Sequence, residues 1–465
     1  MVPWHWRALG VFLALSTLVL AGCGPSSPPA TATATATVRP SATPAPLPTA
    51  TPTPAPTATP TPTPDPWAEV TPAPQIVVWH AITTKGQAQA LGDLAAEFSK
   101  TNPWGIQVEV VGTGTATESL AKTKQAITDG TPPDVVIAYP SSLADYARLE
   151  ALMPLEPLFT HPRYGLAAAG QTDFVIASVG DVYPHAGYQV LSFPLGRRIW
   201  LMYANLTLLQ QLGFETLPAT WDELKTQCAA AQAQGLKCLA IAPDASLVEA
   251  QIWSRGGELL DERGELTLGE QAGQAAFAFY AELVQAGYAY RAGDNFGEQK
   301  DFGAQKTLFT FGTSASLSYY EKEVKGRFSW GVGPFPSGGA APVVVTYGYS
   351  AGILAPYPPQ QLAAWLFLRW LHEADPATRW AAASGYLPLR RSAWETARAD
   401  ETLSAIPHLA EAWATLAYAR EEPAVDGWGG VRKTLEAALS ALLDGQSPEV
   451  TWEQALNEAR RSVRP

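Results

Sequence analysis

The sequence is poor in the residues from which metal and nucleophilic sites are built. It has three cysteines and six histidines in 465 residues, and none of them falls at the spacing of a zinc site. It also lacks a Gly-x-Ser-x-Gly turn, a His-Glu-x-x-His helix and a glycine-rich phosphate loop. These absences argue against a zinc protein, a serine hydrolase and a nucleotide-binding enzyme, and we predict neither a metal nor a cofactor.

Positive charge is also scarce. Lys and Arg total 31 against 43 for Asp and Glu, which gives a formal net charge of −12 at pH 7. No basic block stands out, so nucleic acid and anionic lipid are poor partners for this chain. Beyond the first residues no run is apolar enough to span a membrane, since the stretch 362–371 contains Arg369 and is followed by His372 and Glu373.

The first residues have the pattern of an export signal. Residues 8–21 form an apolar run of 14 residues, shorter than the roughly 20 that a membrane-spanning helix needs. The run ends in Leu20-Ala21-Gly22-Cys23, which resembles the bacterial lipobox, whose cysteine becomes the lipidated first residue of the mature protein. We predict a lipoprotein signal peptide at 1–22 and a lipid on Cys23. An ordinary signal peptide with a coincidental cysteine is the alternative.

Residues 23–75 differ in composition from the rest of the chain. They hold sixteen of its 40 prolines, interleaved with Thr and Ala, and few large apolar residues. Such a segment buries too little apolar surface to offset the entropy of ordering, so we predict a disordered Thr/Pro/Ala linker. At about 3.1 Å per residue, a proline-rich chain of this length reaches roughly 160 Å.

The remaining residues exceed what one hydrophobic core usually serves, so two lobes are expected. Apolar runs that suit buried strands alternate with helical periodicity, which indicates an α/β fold with largely parallel sheets. The predicted strands are 76–79, 106–111, 134–138, 199–203, 239–242 and 308–311, and the predicted helices are 84–100, 119–128, 220–234 and 271–286. An oxidising location favours a disulfide between Cys228 and Cys238, and two buried thiols are the alternative.

Several segments, in order along the chain, resemble the family 1 extracellular solute-binding proteins of ABC importers. They are Val78-Trp79-His80, Thr128-Asp129-Gly130-Thr131-Pro132-Pro133-Asp134, Leu201-Met202-Tyr203-Ala204-Asn205, Thr220-Trp221-Asp222-Glu223 and Ser384-Gly385-Tyr386-Leu387-Pro388. Within the family, the chain is most similar to the glycerol-3-phosphate-binding branch. Maltose- and oligosaccharide-binding proteins are the next most similar.

The resemblance implies a two-lobed, periplasmic-binding-protein-like fold of type II over 75–465. It places lobe 1 at about 75–192 and 326–370, and lobe 2 at about 197–325 and 371–465. A hinge joins such lobes, and a ligand that contacts both of them favours the closed state.

A sugar or polyol site needs aromatic rings and a few fixed polar groups, since such a ligand has hydroxyls on its rim and C–H groups on its faces. Some candidates follow predicted strands, whose carboxyl ends bind ligands in α/β sheets, and others come from the resemblance. For each of them core packing, a turn or a solvated side chain is the alternative. The predicted ligand-binding residues are Trp79, His80, Thr113, Tyr139, Ser141, Arg198, Trp253, Thr313, Ser314, Ser316, Tyr347, Gly348, Tyr349, Tyr386 and Trp428.

The charge of the ligand stays open at this point. Arg197 and Arg198 at the expected lobe crossing favour a phosphate or carboxylate, whereas the tyrosines favour a neutral sugar. The glycerol-phosphate branch carries an arginine near its C-terminal segment. At about that position this chain has Ala424 and Val425 instead. Arg432 is close in sequence but is predicted to sit on a helix.

We therefore predict a monomeric, extracytoplasmic substrate-binding lipoprotein that binds a sugar or a polyol of glycerol-phosphate type for an ABC importer. Its partners would be the solute, the permease subunits and the membrane, through the lipid on Cys23. It would lie in the periplasm or on the outer face of the cytoplasmic membrane. A cell-surface sensor or adhesion module of the same fold is the alternative, and a secreted carbohydrate-active enzyme has less support. We expect no catalytic residues.

Overall fold

The computed structural model describes residues 65–166, 172–175 and 180–463. The predicted signal peptide, Cys23 and most of the predicted linker lie outside the described residues. Within the described ranges, no helix combines the length and the apolar character needed to cross a bilayer.

Strands and helices alternate along most of the described chain. The strands are β1 Gln75–His80, β2 Gln107–Gly112, β3 Val135–Ala138, β4 Asp181–Tyr183, β5 Gln189–Pro194, β6 Arg198–Asn205, β7 Lys237–Ile241, β8 Ala289–Arg291, β9 Thr307–Thr313, β10 Trp330–Gly333, β11 Val344–Tyr347, β12 Ser350–Ile353 and β13 Ala419–Glu421. The helices are α1 Lys85–Thr101, α2 Ala116–Thr128, α3 Pro140–Ala147, α4 Glu156–Phe159, α5 Leu206–Gln211, α6 Trp221–Ala233, α7 Ala245–Ser254, α8 Gln271–Gln285, α9 Gly297–Gly303, α10 Leu317–Val324, α11 Pro358–Leu371, α12 Ala374–Ser384, α13 Arg391–Ala397, α14 Glu401–Ser404, α15 Leu409–Ala414, α16 Trp428–Leu443 and α17 Pro448–Ser462.

The strands form two mixed sheets. The first has the order β2-β1-β3-β12-β5-β4, and the second has the order β13-β11-β6-β9-β7-β8, with β10 paired to β6. Each sheet has its own buried core, which includes Phe193 and Trp365 in the first and Leu239 and Phe277 in the second. We call these two bodies lobe 1 and lobe 2, and the predicted two-lobed α/β fold is confirmed.

Local sequence explains how the elements begin and which face they bury. In α1 the buried residues Leu91, Leu94 and Phe98 recur at helical spacing and face the core of lobe 1. At the start of α6 the Thr220 hydroxyl accepts a hydrogen bond from the Glu223 amide at 3.1 Å. The Glu223 carboxylate accepts from the Ala219 amide at 2.7 Å, one residue before the N-cap amide that a capping box uses.

The structure moves some of the predicted boundaries. Trp67 is buried in the core of lobe 1, so the predicted linker extends too far towards its C-terminal end. The strands β10 and β11 pair with β6 and belong to lobe 2, although the prediction assigned 326–370 to lobe 1. Helix α12 packs on α1 of lobe 1, although the prediction began lobe 2 at 371. The lobe bounds came from the resemblance, and hydrophobic spacing could not correct them because it does not reveal which strand pairs with which.

Cys228 in α6 and Cys238 in β7 form a disulfide, with their Cα atoms 5.0 Å apart. Both residues are buried in the core of lobe 2. The bond therefore fixes a helix to the strand that follows it, within one lobe and away from the lobe crossings.

The described chain passes from one sheet to the other three times, after β5, after β11 and between β12 and β13, and the first two crossings are neighbouring segments. One joins β5 to β6 through Gly196, and the other joins β11 to β12 through Gly348. Gly196 has a φ of +118°, which favours glycine, and a Cβ on Gly348 would lie 2.7 Å from the carbonyl oxygen of Gly196. The two crossings therefore touch through backbone atoms, and glycine is required for that contact.

Arg197 lies at the first crossing and holds both lobes. It is 1% exposed and pairs with the carboxylate of Asp181 in β4 of lobe 1. Its Nε donates to Glu421 in β13 of lobe 2 at 3.2 Å. Asp181 also accepts a hydrogen bond from Ser192 at 2.5 Å. The buried guanidinium is therefore paired with one carboxylate from each sheet.

Replacing Arg197 should destabilise the protein strongly, because it leaves the carboxylate of Asp181 buried without its cation. We expect Arg197→Met to lower the free energy of unfolding by about 3–5 kcal/mol, measured by urea denaturation. Arg263→Met is the matched control, because Arg263 is 82% exposed in its pair with Asp261, and should cost less than about 1 kcal/mol.

A second variant separates loss of pairing from loss of packing. Adding Asp181→Asn to Arg197→Met removes the orphaned charge and should recover part of the lost stability. Equal stability of Arg197→Met and Arg263→Met would contradict the role given to this ion pair.

Candidate functional site

Near the two crossings, the ends of several strands of lobe 1 lie close to the ends of several strands of lobe 2. Tyr139 follows β3 in lobe 1 directly, and Arg198 begins β6 in lobe 2. Since β6 runs antiparallel to β9, its first residues lie beside the carboxyl end of β9, with Trp200 opposite Thr313. Tyr347 ends β11 and lies opposite Arg198. Ligands of α/β sheets bind outside the carboxyl ends of strands, so this junction is the candidate site.

Four tyrosines and Arg198 meet there and form what we call the tyrosine–arginine cluster. The rings of Tyr139 and Tyr349 lie 4.7 Å apart, and those of Tyr349 and Tyr386 lie 6.1 Å apart. The guanidinium of Arg198 lies 4.9 Å from the ring centre of Tyr386 and 6.0 Å from that of Tyr347. Tyr349 and Tyr386 are buried, whereas Tyr139, Arg198 and Tyr347 are half-buried and form the accessible part of the cluster.

Arg198 differs from its neighbour in its charge partners. Among the described residues no carboxylate lies within ion-pair distance of Arg198, and its Nε is buried without a hydrogen-bond acceptor. Burial acts to lower the pKa of Arg198, but the surrounding tyrosines, Tyr347 first, outweigh it and raise the pKa. The two predicted arginines therefore have different roles. Arg197 joins the lobes, whereas Arg198 remains a cation that faces tyrosine hydroxyls.

An acidic cluster that the sequence analysis missed adjoins these tyrosines. Arg432 in α16 pairs with Glu422 and with Asp244, the latter at 2.9 Å, and its Nη1 lies 3.7 Å from a carboxylate oxygen of Glu249. Its guanidinium lies 5.8 Å from the ring of Tyr347. We call Asp244, Glu249, Glu422 and Arg432 the acidic cluster. It holds three carboxylates against one guanidinium.

Burial dominates the electrostatics of the acidic cluster. It raises the pKa of Glu422 to about 7, although the charge of Arg432 acts to lower it. Burial, followed by the nearby charge of Glu422, raises the pKa of Glu249 well above its ordinary value. Glu249 is fully buried, and neither of its carboxylate oxygens has a hydrogen-bond partner among the described residues. Glu249 and Glu422 therefore keep their protons at pH values at which free carboxyl groups would already be ionised.

One sequence signal could have found part of this cluster. Asp244 comes directly after Ala242 and Pro243, which follow the carboxyl end of β7. His80 and Tyr139 were predicted as ligand-binding residues because they lie at strand ends of this kind. Arg432 is on a helix, as predicted, yet its side chain reaches the carboxylates at the sheet edge. Glu249 lies inside α7, and no pattern in the sequence marks it.

Some of the ligand-binding residues predicted in lobe 1 are buried and hydrogen-bonded within the lobe, and others are half-buried. His80 is buried, its Nδ1 accepts from the Ile82 amide at 3.1 Å, and burial lowers its pKa. Thr113 is buried and donates its hydroxyl proton to the carbonyl oxygen of His80 or to Ser119. These contacts support the structural alternative for His80 and Thr113. Trp79 and Ser141 are half-buried near the same edge.

The hydroxyl groups after β9 that were predicted to bind ligand mostly make local hydrogen bonds at the turn. Ser314 is buried, and its hydroxyl oxygen accepts from the Ile199 amide at 3.3 Å. The hydroxyls of Thr313 and Ser316 lie 3.4 Å apart and are half-buried. The Ser314 hydroxyl therefore holds the start of β6 against the end of β9, while the Thr313 and Ser316 hydroxyls contact each other within the turn. The role of Gly348 is likewise the contact with the other crossing described above.

Both predicted tryptophans of lobe 2 are buried. Trp428 is 0% exposed in the core of lobe 2, so the exposed stacking surface expected of it is absent from the described structure. Its position at the start of α16 places it beside Glu249. Trp253 is 4% exposed, and the guanidinium of Arg420 covers its ring at 5.0 Å.

A cavity of about 250 Å³ lies between the lobes, next to the residues that pair with Arg197. Asp181 and Val182 of lobe 1 line it on one side, and Trp253, Glu421 and Glu422 of lobe 2 line it on the other. The lobes thus enclose a gap beside the crossings that carboxylates border from both sides. Together, the two lobes, the paired crossings and the polar edges define the class of a two-lobed binding protein, and the interlobe junction is its candidate site.

Comparison with known proteins agrees with this class. Residues 93–411 match the family described as bacterial extracellular solute-binding protein, which is more than half of the sequence. The chain therefore belongs to that family, and the resemblance inferred from the sequence is confirmed.

Among curated relatives, a Brucella abortus protein named only as a binding protein is 24% identical over 276 residues, 57% of this chain. That match spans 66% of the Brucella protein, less than two thirds of its length. The sn-glycerol-3-phosphate-binding periplasmic protein UgpB of Salmonella paratyphi A is 23% identical over 342 residues, 70% of this chain and 76% of that protein.

Solved structures show the same fold. The sugar-binding protein MalE of Xanthomonas citri aligns with a TM-score of 0.70 at 19% identity, over 83% of this chain and 97% of that one. UgpB of Mycobacterium tuberculosis in complex with glycerophosphocholine aligns with a TM-score of 0.64 at 24% identity, over 83% and 98%. At these identities the likeness establishes the architecture alone.

The raised pKa of Glu422 predicts a pH dependence. Between the ordinary value of 4.5 and the folded value of about 7, the folded state holds a proton that the unfolded chain releases. We therefore expect the stability of the wild type, relative to Glu422→Gln, to fall by about 2 kcal/mol as pH rises from 4.5 to 7. Urea denaturation at several pH values measures this difference.

The comparison between the two proteins removes a competing effect. Burial lowers the pKa of His372 to about 4, so His372 makes the protein more stable as pH rises through the same window. Both proteins contain His372, so its contribution cancels in the difference. A stability difference that does not change with pH would show that Glu422 titrates normally.

Proposed function

We propose that the chain is the extracytoplasmic solute receptor of an ABC importer. It binds a sugar or a polyol of glycerol-phosphate type at the tyrosine–arginine cluster and closes by a hinge at the two crossings. The observation that carries the proposal is Arg198, a cation with no carboxylate partner among the described residues, placed among four tyrosines where the lobes join.

The chemistry of the cluster suits a hydroxylated ligand. Ring faces of Tyr139 and Tyr347 can contact the C–H groups of a polyol, while their hydroxyls exchange hydrogen bonds with its oxygens. The fork of donors on Arg198 matches a phosphate or carboxylate. These groups are half-buried, so a ligand that contacts them is taken partly out of water, where such bonds are stronger. The relatives described above are binding proteins, which supports a binding role over an enzymatic one.

Hinge closure follows from where the contacts lie. Tyr139 belongs to lobe 1, and Arg198 and Tyr347 belong to lobe 2. A ligand that contacts both sets favours the arrangement in which the lobes meet, and its differential affinity sets how far the population shifts. We expect one ligand per monomeric chain, with a dissociation constant near micromolar, about −8 kcal/mol.

We also propose that a lipid on Cys23 anchors the protein outside the cytoplasm, and that the permease subunits of the importer receive the solute. The support for the anchor is the Leu20-Ala21-Gly22-Cys23 motif and the proline-rich segment that follows it. An anchored receptor stays near its permease while a long linker leaves both lobes free to close.

Arg198 should separate anionic from neutral ligands. We expect Arg198→Gln to weaken binding of sn-glycerol 3-phosphate by more than tenfold, because a charge-assisted bond contributes about 1.5–3 kcal/mol. Binding of a neutral sugar such as maltose should weaken less than threefold. Isothermal titration calorimetry against both probes, with Arg263→Gln as the exposed control, measures the effect.

The outcomes of that titration decide between ligand classes. Tight binding of a neutral sugar without binding of glycerol phosphate assigns a neutral solute to the cluster. If neither compound, nor any member of a wider panel of sugars, polyols and their phosphates, raises the melting temperature, the proposed function is wrong.

The lipid anchor has its own test. In a bacterial host that processes lipoproteins, the wild type should incorporate labelled palmitate and sediment with membranes, whereas Cys23→Ser should do neither. The double variant Cys228→Ser/Cys238→Ser is the control, and it should keep the label because its cysteines lie in lobe 2. Labelling that survives Cys23→Ser would exclude the anchor.

A further inference from the structure

A cavity of about 560 Å³ lies in lobe 2, outside the carboxyl ends of the parallel strands β7 and β8. Residues 242–244 after β7 line it, together with residues 291–296, which begin at the last residue of β8. Its volume falls within the range of small-molecule sites, and the ends of parallel strands are where such sites form. One of its lining residues, Asp244, also belongs to the acidic cluster, so this cavity adjoins the candidate site.

One face of α16 forms a wall of the cavity. Lys433, Glu436, Ala437 and Ser440 recur at intervals of three and four residues, so they lie on one side of the helix. Leu435, Leu439 and Leu442 cover a different side and pack into the core of lobe 2. The helix thus presents small and polar side chains to the cavity.

Phe296 is an aromatic residue at the cavity that the lobe core leaves out. It is 69% exposed, and its φ of +61° lies in the left-handed region that a bulky side chain rarely adopts. The preceding residue, Asn295, has a φ of +56°. Strained backbone is found at ligand clamps, so this exposed ring at the cavity wall is a candidate ligand contact.

Trp200 supplies a second ring and an unused donor. It lines the cavity, is 8% exposed, and follows Arg198 by two residues, so both side chains lie on one face of β6. The indole Nε1 of Trp200 is buried and has no hydrogen-bond partner among the described residues. A buried donor of this kind destabilises the protein unless an acceptor reaches it.

The charged groups at the cavity favour hydrogen-bond donors in the ligand. Its carboxylates are Asp244, Asp294, Glu298 and Glu436, and its cations are Arg291 and Lys433. Arg291 is already paired with Asp444 at 3.1 Å. An excess of carboxylates repels a phosphate but accepts hydrogen bonds from hydroxyls, and the two rings provide faces for C–H groups.

We propose that this cavity is a second sugar subsite, so that the solute is a glycoside or oligosaccharide with at least two sugar units. One unit binds at the tyrosine–arginine cluster, and the next binds between Trp200, Phe296 and the polar face of α16. The inference rests on the proposed function and narrows its substrate class.

The test uses the full mature chain and paired probes, namely glucose with maltose, maltotriose and trehalose, and galactose with lactose and melibiose. Calorimetry should find at least one oligosaccharide that binds more than tenfold tighter than its monosaccharides. Phe296→Ala should weaken that oligosaccharide about tenfold and leave monosaccharide binding unchanged. Tyr357→Ala is the matched control, because Tyr357 is 64% exposed and does not line the cavity, and it should have no effect.

A second variant guards against misfolding. Phe296→Asn removes the ring but tolerates the left-handed backbone, so it should stay folded and reproduce the loss. Equal binding of every oligosaccharide by the wild type and both Phe296 variants would overturn the subsite, as would a monosaccharide that binds as tightly as any oligosaccharide.

Two further results separate the subsite from the proposed function. Binding of glycerol 3-phosphate that depends on Arg198 but not on Phe296 would leave the proposed function in place and remove the subsite. Binding of glycerophosphocholine that depends on Phe296, without oligosaccharide binding, would assign the cavity to a cationic group and overturn the sugar assignment. If no probe binds, both proposals are wrong.

Discussion

The buried ion pairs of Arg197 are the constraint on which the junction of the lobes depends. A guanidinium at 1% exposure is tolerable only where carboxylates neutralise it, and Asp181 and Glu421 come from different sheets. Successive side chains of an extended chain point to opposite sides. With Arg197 directed into this pairing, Arg198 is directed to the other side, towards the tyrosines. One arginine therefore fixes the junction, and the next is free to contact a ligand there.

Charge is distributed unevenly around this junction. Arg198 lies among tyrosines, while Arg432 is outnumbered by the carboxylates of Asp244, Glu249 and Glu422. Inside a protein these interactions are stronger than in water, so the position of a charge on the ligand matters. An anionic group is stabilised beside Arg198 and opposed near the acidic cluster, whereas hydroxyls are compatible with both. This asymmetry would orient a ligand with one anionic end and one neutral end.

The sequence predicted the architecture better than the site. Strands such as β1 and β6 and helices such as α1 follow from local hydrophobic spacing, which depends on nearby residues alone. The junction depends on contacts between distant segments, for example Arg432 with Asp244, and no local pattern encodes them. The position of a residue at a strand end, as with Tyr139 after β3, could therefore be predicted. They were misjudged where burial decides, as with Trp428, whose ring could be read as a stacking surface or as core.

Some buried polar atoms without hydrogen-bond partners in the described structure lie around this junction, and others lie in the lobe cores, such as the Nε1 atoms of Trp67 and Trp428. Those at the junction are the Nε of Arg198, the hydroxyl of Tyr386 and the Nε1 of Trp200. Each such group costs about 1–3 kcal/mol when it stays unpaired. A protein tolerates this cost where a ligand can supply the missing partners. The unliganded form is then the less stable one, and binding gains both the new hydrogen bonds and relief of this penalty. That coupling would make solute binding and lobe closure a single event.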